Sequence, residues 1–211
     1  MFHPALAAFA AFAMSVILVI AKAVVWLFTG STAVLASLVD SAQDCIVSSV
    51  NFFAVKYAMK EADHDHRYGH GKMEGIAALI QAAFIFGSCV FIFLEAIRMI
   101  KLGHVPDHPF LIIWVMVAAI IANAALVFYQ HLVIKKTNSL AIEADRANYT
   151  GDIAIHSGVI LAALLNYFMG WQWADPLIAM GIAGWLLYLA YGIGGKAINM
   201  LMDRELPDDE R

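Results

Sequence analysis

Six long apolar blocks, at about 5–28, 32–59, 73–100, 110–134, 143–169 and 174–202, divide the chain, and within them charges are sparse instead of alternating with apolar residues. A helix needs about 20 predominantly apolar residues to cross the hydrocarbon of a bilayer, so each block predicts a membrane span. The joints at 29–31 and 170–173 are short, and no long linker, low-complexity tract or internal repeat interrupts the series. The pattern predicts an all-α integral membrane protein in which residues 1–211 form a single six-helix transmembrane domain. The fifth block reads as the weakest, because Glu143, Asp145, Arg146, Asn148, Asp152 and His156 precede the apolar run that begins at Val159.

Composition agrees with lipid as the solvent. The chain is 62% hydrophobic and 14% charged, whereas soluble domains carry roughly a quarter charged residues. Charge placement argues for keeping the fifth span. With six crossings and a cytoplasmic N-terminus, ten of the thirteen Lys and Arg residues face the cytoplasm: Lys56, Lys60, Arg67, Lys72, Lys135, Lys136, Arg146, Lys196, Arg204 and Arg211. Arg98 and Lys101 lie outside, and Lys22 sits within the first span. This bias fits the positive-inside rule, and omitting span five would strand the last three cations on the wrong side. Both termini are thus expected in the cytoplasm, with the protein multi-pass in the inner (plasma) membrane.

The first apolar run has no basic leader and no clear cleavage site, so it reads as a span and not a signal peptide. Cys45 and Cys89 fall inside predicted helices without a metal-type or redox spacing and read as packing residues. Gly181, Ala183 and Gly184 in span six predict close helix approach. The net charge of −4 says little here, and the acidic tail from Glu205 reads as solvated.

Ionisable residues within spans carry the chemistry, since an acid at bilayer depth costs at least about 2.5 kcal/mol and marks a functional site by default. Asp40 and Asp44 are four apart on span two, hence on one helical face. At 1.5 Å per residue they lie roughly 12 and 18 Å deep. Span five runs the other way and repeats the spacing with Asn148 and Asp152, the latter at roughly 13 Å. Three carboxylates that close cannot all stay ionised without a cation among them, and a divalent metal is the economical answer. Two other readings use the same acids: protonated groups bonded to nearby serines or paired with Lys22, and a proton relay without metal.

A second cluster, Asp63-His-Asp-His-Arg-Tyr-Gly-His70, follows span two. His66 and His70 share a face if span three starts early, with Asp63 reaching back. Imidazole with carboxylate suits zinc and its neighbours, although a His-rich loop is also a common polar linker.

The run Ala36-Ser-Leu-Val-Asp40-Ser-Ala-Gln-Asp44, the loop Tyr68-Gly-His-Gly-Lys-Met-Glu74 and the ending Leu201-Met-Asp-Arg-Glu-Leu-Pro207 resemble the cation diffusion facilitator family, in its bacterial zinc, iron and cadmium efflux type. The resemblance implies a homodimeric six-span exporter that exchanges a divalent metal for protons, with no enzymatic activity, no resident cofactor and no nucleic-acid partner. It implies a transport site of Asp40, Asp44, Asn148 and Asp152 and a loop metal site of Asp63, His66 and His70. Lys72 and Asp203 would tie the cytoplasmic helix ends together near a dimer interface. The family's usual cytoplasmic metal-binding domain beyond Pro207 is missing from this sequence, which is either naturally short or part of a longer one.

Asn148 departs from the family pattern, where zinc transporters commonly have His and manganese transporters Asp. It offers a neutral oxygen that does not titrate. An all-oxygen site favours harder ions such as Mn²⁺, yet zinc accepts carboxylate oxygen and the loop histidines favour zinc, so the donors leave selectivity open; with the resemblance, Zn²⁺ is expected first, with Cd²⁺ and then Fe²⁺ or Mn²⁺. Proton exchange would then fall to Asp40, Asp44 and Asp152. His156, one turn beyond Asp152, is a proton acceptor, a partner to the metal's ligands or, as the leading reading, a helix-packing residue. The alternatives are a proton-coupled transporter of a non-metal substrate and a membrane-embedded metalloenzyme using His64, His66, His70, His104 and His108. Topology opposes the latter, since it separates His104 and His108 from the other three.

Overall fold

A computed structural model describes residues 3–29, 32–102, 109–171 and 173–203. Six helices follow in order: α1 (Pro4–Thr29), α2 (Thr32–Ala58), α3 (Lys72–Leu102), α4 (Pro109–Thr137), α5 (Leu140–Met169) and α6 (Ala174–Leu201). The loop histidines His104 and His108 and the tail with Arg204, Glu205, Pro207 and Arg211 lie outside the described residues.

Among the described residues, five helices are long and apolar enough to cross a membrane: α1, α3, α4, α5 and α6. The exception is α2. Its 27 residues suffice in length, but Ser37, Asp40, Ser41, Gln43, Asp44, Ser48, Ser49 and Asn51 spread polar groups along it. Among the described residues, then, α2 falls short of the apolar requirement that α5 meets, and α5 is the least apolar of the five. Helix α5 crowds its charges into its first turns and is apolar from Val159 to Leu165, whereas polar residues recur along α2 from Ser37 to Asn51.

The closest pairings are α3 with α6, α1 with α2, and α4 with α5, and α5 also packs on α6. Small side chains make these approaches possible, as expected where lipid is as apolar as the helix surfaces. The main buried cluster joins Ala78, Ala82 and Cys89 of α3, Ala144 and Ala147 of α5, and Ala183, Leu186, Ala190 and Ala197 of α6. The glycines that permit contact between α5 and α6 belong to α5. A Cβ on Gly151 would stand 2.8 Å from Leu186 Cδ2, and one on Gly158 2.6 Å from Ile182 Cδ1. Gly181 and Gly184 face open space instead, so of the span-six residues expected to permit close approach only Ala183 lies in the core. Both cysteines are free.

Polar contacts at the end bearing the α2–α3 loop fix how the helices start and stop. Asn138, at φ 51°, turns the chain between α4 and α5, and Ser139 caps α5 by accepting the Ile142 N–H. Glu74, in the first turn of α3, accepts from Ser139 Oγ (2.8 Å) and from the Leu140 N–H (3.1 Å). A carboxylate there also opposes the positive end of the α5 dipole. Lys72 donates to Asp203 Oδ2 at 2.7 Å and to the Leu201 carbonyl at 3.3 Å, tying the start of α3 to the end of α6. The contact between Lys72 and Asp203 expected from the sequence is thus present within one chain.

Candidate metal sites

Helices α2 and α5 meet where each carries an i,i+4 polar pair. Asn148 Nδ2 donates to Asp44 Oδ1 at 3.0 Å, joining the two elements. One turn along α5, Asp152 Oδ2 is buried and has no hydrogen-bond partner among the described residues. Asp44 and Asp152 are half-buried, while Asp40, a turn away on α2, is exposed. All three carboxylates lie near enough to act on one another electrostatically. They do not close to mutual ligand distance, however. Among the described residues, the loop group is the one set of three His, Cys, Asp or Glu ligand atoms within 4.8 Å of one another. A metal bound at Asp44 and Asn148 would need the amide to turn its Oδ1 to the ion, releasing the present Nδ2 contact.

Lys22 reaches this region from α1. Its Nζ donates to Ser41 Oγ at 2.6 Å and to the Ser37 carbonyl at 3.1 Å. The ammonium thus takes serine and backbone oxygens on the turn that bears Asp40, in place of the carboxylate pairing considered from the sequence. His156 is buried with Nδ1 unpartnered among the described residues.

The loop group is compact. Asp63 Oδ1 accepts the backbone N–H of His66 (2.7 Å) and of Asp65 (3.1 Å), and lies 3.1 Å from His66 Nδ1. The His66 backbone N–H is the main reason the Asp63 carboxyl is held below its ordinary pKa. His70 Nε2 stands 3.4 Å from Asp63 Oδ2, and both of its buried ring nitrogens lack hydrogen-bond partners among the described residues. Its ring is set edge-on against Tyr57 and 4.5 Å from that of His66. Two imidazoles and a carboxylate, preset by the turn at Gly69 (φ 78°), form a donor set that suits a zinc-like ion.

Sequence reasoning missed a second intramembrane carboxylate centre. Asp145 of α5 is fully buried and accepts from Gln81 Nε2 of α3 (3.1 Å) and Gln130 Nε2 of α4 (2.7 Å). Beside it the hydroxyls of Ser48 and Tyr149 lie 2.7 Å apart, and the tyrosine donates to the Ala11 carbonyl. The signal available was one amide or acid within each of three predicted spans, but no spacing rule pairs residues across helices.

The chain matches the cation efflux transmembrane domain over residues 8–202. It is similar to the cation-efflux pump FieF of Yersinia enterocolitica (41% identical), of Cronobacter sakazakii (42%) and of Escherichia fergusonii (40%). Each match covers 97% of this chain and 68% of the relative. With its long apolar helices, the chain is a multi-pass protein of the inner membrane. It belongs to the cation efflux family, the cation diffusion facilitators, which is a family of transporters and not of enzymes.

Proposed function

We propose that the chain exports a divalent metal ion in exchange for protons by alternating access, with Zn²⁺ as first candidate and Cd²⁺, Fe²⁺ and Mn²⁺ behind it. The observation that carries this reading is the meeting of Asp44 with Asn148 beside the buried, unpartnered oxygen of Asp152. A buried carboxylate oxygen without a donor costs free energy unless a ligand satisfies it, and a metal or a proton serves equally. That is the requirement of an exchanger. Names given to the relatives, all cation-efflux pumps, support the direction of transport.

In this reading Asp44, Asn148 and Asp152 hold the cargo, Asp40 joins them as the helices close, and Asp63, His66 and His70 bind a second ion at the cytoplasmic loop. All six helices cross the membrane as one domain with both termini in the cytoplasm. Part of the polar load of α2 is turned from lipid, since Ser41, Ser48 and Asn51 are buried against other helices, whereas Asp40 and Gln43 are exposed. Two copies assemble as a homodimer, with Lys72 and Asp203 holding the cytoplasmic ends of α3 and α6 together.

Proteoliposomes loaded with a pH-sensitive dye and challenged with Zn²⁺, Cd²⁺, Fe²⁺ and Mn²⁺ test the proposal. Metal-dependent proton movement is expected, strongest for Zn²⁺. No proton movement with any of the four ions would overturn it.

A further inference from the structure

Lys22 is 5% exposed in a helix otherwise made of apolar and small residues. A lysine near a helix end ordinarily snorkels to water. This one turns inward. Its ammonium is fixed by two acceptors on α2, the Ser37 carbonyl and Ser41 Oγ, which lie four residues apart on the stretch that also bears Asp40 and Asp44. Three carboxylates, Asp40, Asp44 and Asp152, feel its charge, yet the bonds of the ammonium go to neutral oxygens. The cation is therefore parked beside the acids and does not occupy the position of a ligand.

Charge bookkeeping gives this placement a purpose. Three carboxylates around a dication sum to −1, and a fourth group of +1 brings the total to zero. Repulsion between a fixed ammonium and an incoming dication weakens metal binding, and in a low-dielectric interior that repulsion is large. An exporter must release what it binds. We propose that Lys22 is a tethered counter-cation of the transport site: a positioning residue whose charge, held by Ser37 and Ser41, keeps metal affinity low enough for release. This rests on the transport-site reading above.

The test is Zn²⁺ titration calorimetry on the purified full chain carrying His66→Ala and His70→Ala, so that the intramembrane site alone reports. Lys22→Gln keeps a donor for Ser41 and removes the charge, and Lys22→Arg keeps the charge. Lys22→Gln should bind Zn²⁺ about tenfold more tightly, the factor given by about 1.4 kcal/mol of relieved repulsion, and should turn over more slowly in proteoliposomes. Lys22→Arg should stay near the parent affinity. A merely structural lysine predicts the opposite, weaker binding in Lys22→Gln. Should that variant not purify as a monodisperse species, Lys22→Met takes its place with the same expected tightening. Unchanged or weaker binding in the charge-free variant overturns the role of Lys22 alone. Absence of Zn²⁺ binding in the parent with intact Lys22 overturns the transport-site reading, and the Lys22 proposal with it.

Discussion

Two carboxylates on α5, Asp145 and Asp152, stand seven residues apart and so on nearly the same face, yet they are treated in opposite ways. Asp145 is fully enclosed, and each of its oxygens takes a glutamine amide from a different helix. Asp152 keeps a buried oxygen with no partner among the described residues, next to the Asp44–Asn148 contact. A satisfied buried acid is a tie between helices. An unsatisfied one is, in the reading proposed above, where a proton or an ion would bind. If the proposed reading holds, the contrast separates a structural from a functional acid on one helix, which burial or residue type alone does not.

The largest effect should come from Asp152→Ala, which should reduce metal transport in proteoliposomes to background while lowering thermal stability little, since no hydrogen bond is lost from the buried oxygen. Transport at the parent rate would break the comparison at its functional end. Asp145→Leu should do the reverse: it leaves the Gln81 and Gln130 amides unpaired at about 1–3 kcal/mol each, seen as a large drop in the melting temperature. Asp145→Asn should be far milder. Both glutamines have an unpartnered buried Oε1, so one amide can rotate to accept from the new Nδ2.

Gly158→Leu comes next. The added side chain would collide with Ile178 and Ile182 of α6, and overpacking of this kind costs about 1–3 kcal/mol. Because Gly158 follows Asp152 on α5, it should also reduce transport more than an equally destabilising change in α1.

The smallest effect on transport is expected at the loop. His70→Ala should remove one Zn²⁺ per chain in metal analysis and slow transport by a few-fold. Lowering the pH should release that ion, because metal donors bind in their deprotonated form. Asp63, held below its ordinary pKa by the His66 N–H, is a carboxylate at neutral pH. Asp63→Asn removes that charge and should weaken Zn²⁺ binding at the loop in the same metal analysis; full retention of the ion in Asp63→Asn would contradict its place in the donor set.

Helix number and approximate bounds were legible in the sequence because apolar run length is a local property. So were the pairs Asp40 with Asp44 and Asn148 with Asp152, and the Asp63–His66–His70 group, since each lies within one element or one turn. The Gln81–Asp145–Gln130 centre, the serine partners of Lys22, and Gly151 and Gly158 as the close-approach residues were not legible. In a soluble helix the apolar stripe marks the inward face. Here lipid and core are both apolar, so the pattern leaves rotation about each helix axis undetermined, and contacts between helices depend on that rotation. Run length alone makes α2 a span, although its polar residues keep it from the apolar requirement among the described residues.

The central claim is that Asp152 receives an ion where Asp145 receives amides. Zn²⁺ titration of Asp152→Ala beside Asp145→Asn, both carrying His66→Ala and His70→Ala, tests it most directly. Zn²⁺ binding should survive Asp145→Asn and vanish in Asp152→Ala; binding that persists in Asp152→Ala, or is lost equally from both, would contradict the account.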